Sequence, residues 1–452
     1  MPKTAETASI QELCQSLIST PALPERLRRL EKSEELKRRA RKVIPSCSQT
    51  FSKGPSQFVQ GVAPAYLERG TGCFVWDADG NKYLDFSMAL GAVMLGYGDS
   101  RVAQAVAAQA KQGTVFTLSH PLEVELSEIL TRLIPCAEMV RFGKNGSDAT
   151  SAAVRAARAF TGREMIACCG YHGWQDWYVG TTTRNKGVPK AVAELTKTFR
   201  YNDLDSLKSL FDQHPGKIAA VIMEPVGLAE PKPGFLEGVK ELAGKNGALL
   251  VFDEMVTGFR MGLGGAQKYF GVTPDMACFG KGMANGMPVS AVVGRRDVME
   301  LFDEIFFSFT FAGETASLAA ALTTIQALEE PGALEGIWAR GRQIKEGYNL
   351  LAEAYGLKGR TECIGLPPRT GIGFHPDSEA MAMKTFLQQE CLKRGYLFTG
   401  AHNLCAAHDD AAVESALMVY RSVLELLATV LKEGRLMESL EGPVIQPVFR
   451  KM

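Results

Sequence analysis

Short, wholly apolar stretches recur between residues 100 and 330, and they constrain the fold of this chain more than any other feature. They alternate with stretches whose apolar residues have helical spacing. Strands that are apolar on both faces are typical of a mostly parallel sheet covered by helices on both sides. The region therefore predicts an α/β domain. The predicted strands are 139–142, 165–168, 218–223, 248–252, 276–279 and 290–293, and the predicted helices include 148–160 and 236–245.

The length of the chain predicts more than one domain. It has 452 residues, whereas a single hydrophobic core stops growing at about 250–300 residues. We expect a large domain at 101–334 and a smaller α+β domain built from both chain ends, 46–100 and 335–452. Residues 1–45 predict an N-terminal helical arm, because the run 25–43 carries charged residues and leucines near helical spacing.

The charge balance and the cysteine pattern indicate which partners and which cellular compartment to expect. The 50 Lys and Arg residues balance 50 Asp and Glu residues, so neither a nucleic acid nor an anionic membrane is predicted as a partner. The ten cysteines include no C-x-x-C pair, which favours reduced thiols in a cytoplasmic protein. No metal site is predicted either. The run 77–81 resembles a calcium loop, but Lys82 stands where that loop needs glycine, so it predicts a hairpin turn.

Two residues with useful chemistry follow two of the predicted strands. Asp253 comes directly after 248–252, and Lys281 follows 276–279. Because ligands of α/β proteins bind at the carboxyl ends of the strands, we expect the two side chains to share a site. A lysine that forms a Schiff base, together with an acid that keeps a pyridine nitrogen protonated, is what pyridoxal 5′-phosphate (PLP) chemistry requires. The pair therefore predicts a PLP enzyme, although a lone lysine beside a glycine is usually a solvated loop residue.

The run 141–148 predicts a phosphate site. It leaves a strand and enters a helix, and Gly146 and Ser147 allow the backbone to approach a ligand closely. Free N–H groups and the positive end of the helix dipole bind anions at such a position. Without Lys281 and Asp253 nearby, the run would be an ordinary capped helix start.

Aromatic and acidic neighbours complete the predicted site. Tyr171 follows the strand 165–168, where its ring can stack on a pyridine ring, the alternative being an aromatic core contact. We interpret His172 as a structural histidine. Successive side chains of a strand point to opposite faces, so Glu254 would point the other way from Asp253 and is interpreted as a structural anchor.

At these residues the chain resembles the class III aminotransferases, PLP enzymes of fold type I, and in particular their glutamate-1-semialdehyde aminomutase-like branch. Three runs carry the resemblance: 253–260 with 280–282, then 145–150, and 171–173. The resemblance implies the α/β fold of the fold-type I PLP-dependent transferases. It also implies that Lys281 forms the Schiff base and that Asp253 binds the pyridine nitrogen.

Further roles follow from the same resemblance. Tyr171 would stack on one face of the cofactor ring, and Val256 would pack on the other. Gly146 and Ser147 would bind the phosphate. The run 308–313 is similar to the family segment whose threonine reaches the phosphate of the neighbouring subunit. Thr310 would then make the enzyme a homodimer whose active site is shared across the interface.

Departures from the family pattern bear on the substrates. The run 45–53 lacks the arginine with which aminomutases bind the substrate carboxylate, and 50–55 looks like family members that aminate sugars or other polyhydroxy carbonyl compounds. We expect an aminotransferase that moves an amino group from a small-molecule donor, L-glutamate, to a sugar-like aldehyde or ketone in a ping-pong reaction. One alternative is an intramolecular glutamate-1-semialdehyde 2,1-aminomutase. Another is a PLP-binding protein without catalysis, which would have lost Lys281 or Asp253.

Overall fold

The computed structural model describes residues 5–26, 28–375 and 379–446. The chain divides into two compact units. Unit 1 contains the residues up to Leu90, Gly96–Gly98 and those from Glu335 onward, and unit 2 contains Gly91–Leu95 and Asp99–Leu334. Within the described ranges, every helix is too short or too polar to span a bilayer.

Strands and helices alternate through unit 2, whereas unit 1 takes elements from both chain ends. The strands are β1 Leu67–Thr71, β2 Phe74–Asp77, β3 Lys82–Asp85, β4 Met139–Gly143, β5 Met165–Cys169, β6 Thr196–Thr198, β7 Ile218–Met223, β8 Leu249–Asp253, β9 Met276–Phe279, β10 Ser290–Gly294, β11 Thr361–Leu366, β12 Arg369–Phe374, β13 Tyr396–Leu397 and β14 Ala401–Asn403. The helices are α1 Ala5–Ser19, α2 Glu31–Val43, α3 Met88–Gly91, α4 Ser100–Gln112, α5 Pro121–Leu133, α6 Gly146–Thr161, α7 Asp176–Val179, α8 Lys190–Glu194, α9 Leu204–Gln213, α10 Phe235–Lys245, α11 Gly265–Phe270, α12 Arg296–Met299, α13 Thr315–Glu329, α14 Ala333–Ala354, α15 Ala380–Lys393 and α16 Asp410–Lys432.

Unit 2 is built on a seven-stranded sheet with the order β4-β10-β9-β8-β7-β5-β6. All of its strand pairs are parallel except those of β10, which runs antiparallel to β4 and β9. Every residue of β7, β8, β9 and β10 is buried, as expected for strands with helices on both faces. The predicted mostly parallel sheet is confirmed.

Small side chains allow helix α6 to lie close to this sheet. Ala149, Ala153 and Ala157 are fully buried and belong to the same apolar cluster as the strand residues Ile222 and Val292. A helix with alanines on its inner face can approach a sheet without leaving voids, because alanine adds no side-chain bulk beyond Cβ. The amino end of α6 is thereby held at one defined position relative to the strands.

Unit 1 contains two smaller sheets, with the orders β1-β2-β3-β13 and β11-β12-β14. The turn between β2 and β3 is the predicted hairpin, and Asp77 stabilises it by accepting hydrogen bonds from the N–H groups of Asp79 and Asn81 at 3.0 and 2.8 Å. Helix α1 packs against α16 and buries Ile10 and Cys14. The thiol groups of all ten cysteines are free.

Candidate active site

The predicted site residues meet at one edge of the unit 2 sheet. Strands β8 and β9 are parallel, with Asp253 paired with Cys278, and Lys281 lies two residues beyond the end of β9. Strand β4 runs in the same direction, because both it and β9 pair antiparallel with β10. The carboxyl ends of β4, β8 and β9 therefore lie along the same edge, where α/β proteins bind ligands.

The Met255 side chain lies between two loops. One is the predicted phosphate loop, residues 141–148, and the other is the turn after β9 that contains Gly280 and Lys281, called the lysine turn below. A Cβ atom added at Gly146 would lie 2.9 Å from the Met255 sulfur, and one added at Gly280 would lie 2.8 Å from it. The sulfur therefore contacts the backbone of both loops, and only glycine leaves room for it. Because Met255 comes two residues after Asp253, the carboxylate lies close to both loops.

Hydrogen bonds hold the loop before α6 in place. The Asp148 carboxylate accepts the N–H groups of Lys144 and Asn145 at 3.1 and 2.7 Å. On the other side of the loop, the Ser290 hydroxyl donates to the carbonyl oxygen of Asn145 at 2.8 Å. The N-terminus of α6 is thus a fixed feature of the site.

Gly146 and Ser147 are the first two residues of α6. The first N–H groups of a helix have no carbonyl partner within the helix, so they can hold an anion. Ser147 is buried, and its hydroxyl accepts the N–H of Trp174 at 3.2 Å. A Cβ atom at Gly173 would collide with that hydroxyl, so the wall of this cradle also depends on a glycine.

Asp253 is a buried carboxylate with two fixed partners. Its Oδ1 accepts the N–H of Met255 at 3.1 Å, and its Oδ2 lies 2.8 Å from Nδ1 of His172. The other ring nitrogen of His172, Nε2, lies 3.1 Å from the carbonyl oxygen of Cys169. A buried carboxylate requires such partners, and each oxygen retains a lone pair for a further donor.

Sequence reasoning interpreted His172 as a structural histidine but did not identify its partner. The structure places its ring nitrogen Nδ1 next to the carboxylate of Asp253. The sequence does place His172 just after strand β5, next to Tyr171. That position indicates a contact with Asp253 only once the strand order is known, in which β7 lies between β5 and β8.

Tyr171 and Val256 are both accessible at this edge. The Tyr171 side chain is 51% exposed, and its ring meets that of Tyr178 edge-to-face at 5.6 Å. Its N–H donates to Oε1 of Glu224 at 3.0 Å, which fixes the backbone. Burial raises the pKa of the Tyr171 hydroxyl, and the negative charge of Asp253 raises it further. Val256 is half-buried in the turn after β8.

Glu254 has a different environment from its neighbour Asp253. It is fully buried and accepts the N–H groups of Ala266 and Gln267 at 2.7 and 2.8 Å, together with the hydroxyl of Thr257. Burial raises the pKa of its carboxyl group, and these donors act in the opposite direction. Glu254 thus holds the start of α11 against the end of β8, which is an anchoring contact.

The segment that contains Thr310 is attached to the phosphate loop but leaves Thr310 exposed. Nη2 of Arg141 donates to the carbonyl oxygen of Phe307 at 2.8 Å. At the other end of the segment, Nζ of Lys144 forms an ion pair of 2.9 Å with Glu314. Side chains from β4 and the phosphate loop therefore fix the segment at both ends, and the threonine between them points away from the core of its own unit.

These residues fit PLP. A helix N-terminus lined by glycine suits a phosphate, and the buried Asp253 can accept the N–H of a pyridine ring. Lys281, which is half-buried, follows the adjacent strand, and the exposed Tyr171 ring suits a flat ring. Gly146 and Gly280 allow their loops to pack closely against Met255, where a Cβ atom would collide with its sulfur.

Comparisons with known proteins agree with this chemistry. Residues 58–402 match the family model Aminotransferase class-III. The 3-aminobutyryl-CoA aminotransferase of Cloacimonas acidaminovorans is 36% identical over 416 residues, which cover 89% of this chain and 98% of that protein. The glutamate-1-semialdehyde 2,1-aminomutase of Roseiflexus castenholzii is 40% identical over 324 residues, which cover 68% of this chain and 74% of that protein.

Solved structures give the same result. The FumI protein of Sphingopyxis sp. MTA144, in its PLP internal aldimine form, superposes with a TM-score of 0.82 at 30% identity and covers 91% of this chain and 98% of that one. An omega-transaminase from Sphaerobacter thermophilus has a TM-score of 0.80 at 28% identity, with 87% and 97% covered. The chain therefore belongs to the class III aminotransferases, fold-type I enzymes whose cofactor is pyridoxal 5′-phosphate.

Proposed function

We propose that this chain transfers an amino group from L-glutamate to the aldehyde or ketone of a separate, sugar-like acceptor in a ping-pong reaction. The observation that carries the proposal is the position of Lys281, Asp253 and the N-terminus of α6 at one sheet edge. One site that holds two substrates in turn is the arrangement that a ping-pong reaction needs.

An intramolecular aminomutase is the second candidate, since glutamate-1-semialdehyde 2,1-aminomutases are among the similar proteins. Two observations favour the aminotransferase. The run 45–53 lacks an arginine. The relative that aligns over 98% of its own length is an aminotransferase.

In this proposal, PLP supplies an aldehyde that exchanges amino groups and a ring that draws electrons from the substrate carbon. Lys281 binds that aldehyde through Nζ and, once released, carries a proton to and from the substrate carbon. Asp253 holds the ring nitrogen in its protonated form by accepting its N–H. Because Asp253 is buried, little water competes for this bond.

The remaining roles concern the position of the cofactor. We assign the phosphate to the N–H groups of Gly146 and Ser147, where the helix dipole favours negative charge. Tyr171 would stack on one face of the ring, and Val256 would pack on the other. Together these contacts would keep the ring plane fixed while Nζ of Lys281 moves a proton.

The sugar-like acceptor is proposed from one polar stretch in the lining of a cavity in unit 1, whose other walls include apolar residues such as Ile44, Phe58 and Leu397. This cavity has a volume of about 530 Å³, and the run 48–53 lines part of it. That run provides hydroxyl groups from Ser48, Thr50 and Ser52, an amide from Gln49 and an amine from Lys53. Hydroxyl and amide groups suit a polyhydroxy ligand, and the lysine suits an anionic substituent on it.

We also propose that the enzyme is a homodimer. Thr310 is exposed although its segment is fixed at both ends, which is the arrangement needed to offer its hydroxyl to a second copy. The N–H of Thr315 donates to the carbonyl oxygen of Thr114 at 2.9 Å, which joins the stretch after Thr310 to the stretch after α4. Both stretches expose apolar side chains, which is typical of a protein interface. These side chains are Val115, Phe116, Leu118 and Phe311, with Val124 on α5.

A cytoplasmic location completes the proposal. All ten cysteines are free, and eight of them are buried. Free thiols in such number are typical of a reducing compartment. In this proposal the enzyme meets its amino donor, L-glutamate, in the cytoplasm.

Replacing Thr310 by alanine is expected to weaken PLP binding by about tenfold or more, because a hydrogen bond to a charged phosphate is lost. The dissociation constant of PLP for the apoprotein measures the effect. Ser308→Ala, in the same segment, is the matched control and should bind PLP as the wild type does.

A hybrid of two variants tests whether Thr310 acts across the interface. Dimers of one Thr310→Ala subunit and one Lys281→Ala subunit would have one intact site only if the threonine serves the other subunit. We expect tight PLP binding and turnover to return in the mixed sample. No recovery in verified hybrids would assign Thr310 to its own subunit or to no site.

Adding L-glutamate alone to the purified holoenzyme tests the proposed reaction. We expect the yellow colour of bound PLP to bleach and one equivalent of 2-oxoglutarate to appear per site, because the first half-reaction needs no acceptor. A subsequent carbonyl sugar should restore the colour. If glutamate has no effect and glutamate-1-semialdehyde is converted without a donor, the aminomutase is the correct function.

A further inference from the structure

Lys281 has a backbone conformation that lysine seldom adopts. Its φ is +38°, in the left-handed region, and it begins a short 3-10 turn that ends at Ala284. A residue other than glycine stays in this region only where the surrounding structure holds it there. The direction of the Lys281 side chain therefore depends on contacts that fix this turn from outside.

Asn285, the residue that follows the turn, provides such a contact. Its side-chain oxygen Oδ1 accepts the N–H of Met94 at 2.9 Å and the N–H of Leu95 at 2.8 Å. A carbonyl oxygen has two lone pairs, so the single amide group satisfies both donors. The turn that carries Lys281 is thus bonded to a backbone segment about 190 residues earlier in the chain.

The segment 91–95 is itself firmly held within unit 2. Nη2 of the buried Arg260 donates to the carbonyl oxygen of Gly91 at 2.9 Å. Met94 is fully buried, and a Cβ atom at Gly282 would lie 2.7 Å from its Cγ. The segment therefore joins two turns, the one after Asp253 and the one that contains Lys281.

The backbone conformation at residue 285 does not by itself require an asparagine. Its φ is +45°, a value that glycine adopts at no cost and that asparagine tolerates. Glycine would suit the end of a turn equally well, but it has no side chain with which to bind Met94 and Leu95. The hydrogen bonds are what asparagine adds.

We infer that Asn285 is a positioning residue for Lys281, which acts by fixing the lysine turn to the backbone at Met94 and Leu95. It orients Nζ toward the cofactor aldehyde and does not contribute to phosphate binding. The inference rests on the proposed role of Lys281 as the residue that binds the cofactor. Its specific consequence is that covalent attachment of PLP depends on Asn285, whereas binding of the cofactor phosphate does not.

Two ligands separate these effects in the apoprotein. PLP forms a C=N bond with Lys281 and releases water, and borohydride traps the product for mass spectrometry. Pyridoxamine phosphate has no aldehyde, so its affinity reports phosphate and ring contacts alone. For Asn285→Gly we expect attachment of PLP to slow by at least about tenfold, because a small displacement of a reacting group is costly. The dissociation constant of pyridoxamine phosphate should stay near the wild-type value.

Asn285→Asp is the matched control, because aspartate tolerates the same φ and retains an acceptor for both N–H groups. Its attachment rate should stay near that of the wild type. Asn285→Ala provides a second variant without the acceptor, should the glycine variant fail to fold. Attachment at the wild-type rate without the acceptor would overturn the inference, and so would equal weakening of pyridoxamine phosphate binding. If wild-type PLP is not trapped on Lys281 at all, the proposed function itself is wrong.

Discussion

Replacing Lys281 by alanine is expected to abolish turnover, with a fall in kcat of at least about 10⁴-fold. The amine has two tasks in the proposed reaction, binding the cofactor aldehyde and carrying a proton, and proton transfer alone contributes about 10²–10⁴-fold. Alanine tolerates the φ of +38° about as well as lysine does, so the turn should persist. Steady-state assays with glutamate and an acceptor measure the loss.

The folded state of this variant can be checked independently of its activity. We expect Lys281→Ala to unfold at nearly the wild-type temperature and to bind PLP in a form that dialysis removes. Lys281→Arg is the matched control, because it retains the positive charge but cannot attach the cofactor, and it should be equally inactive. Turnover by either variant near the wild-type rate would remove Lys281 from the mechanism.

Replacing Asp253 by asparagine is expected to reduce the rate by about 10²–10⁴-fold while leaving the protein folded. The amide oxygen of asparagine can still accept the N–H of Met255, which lies 3.1 Å from Oδ1 in the wild type. The amide lacks the negative charge that keeps the ring nitrogen protonated. Rapid mixing of the holoenzyme with glutamate isolates this step, because the first half-reaction then occurs without an acceptor.

The adjacent acid provides a matched comparison. Glu254→Gln changes the same chemical group one residue away, where the carboxylate accepts the N–H groups of Ala266 and Gln267. We expect this variant to lose stability, measured as a lower unfolding temperature, with little change in rate per folded molecule. If Asp253→Asn instead lost stability and kept its rate, the assignment of the two acids would be reversed.

Much of the sheet and of the candidate site could be predicted from local sequence. Strands β7, β8 and β9 are apolar except for the terminal Asp253, so burial on both faces was evident. Asp253 ends β8, Lys281 comes two residues after β9, and Gly146 and Ser147 lie where a strand leads into a helix. Residue type and position relative to a strand end were sufficient for these predictions.

Other features depend on contacts between distant residues and could not be predicted in this way. Predicting the hydrogen bond between His172 and Asp253 requires the strand order, and the one between Asn285 and Met94 spans 191 residues.

The start of α2 is a further feature that depends on a distant residue. Charge and leucine spacing extend the predicted helix back to Glu25, but it begins at Glu31. The carboxylate of Asp79, in the hairpin turn, accepts the N–H groups of Lys32 and Ser33 at 2.7 and 2.8 Å, which fixes that start.

The position of Met255 between two glycines has a consequence for engineering this enzyme. Its sulfur contacts the backbone at both Gly146 and Gly280, so this one side chain fills the gap between the helix N-terminus and the lysine turn. A library that varies only the size of residue 255 would change the free volume in that gap in small increments. Every group proposed to touch the cofactor would meanwhile remain unchanged, and acceptance of differently shaped coenzyme analogues could be selected directly.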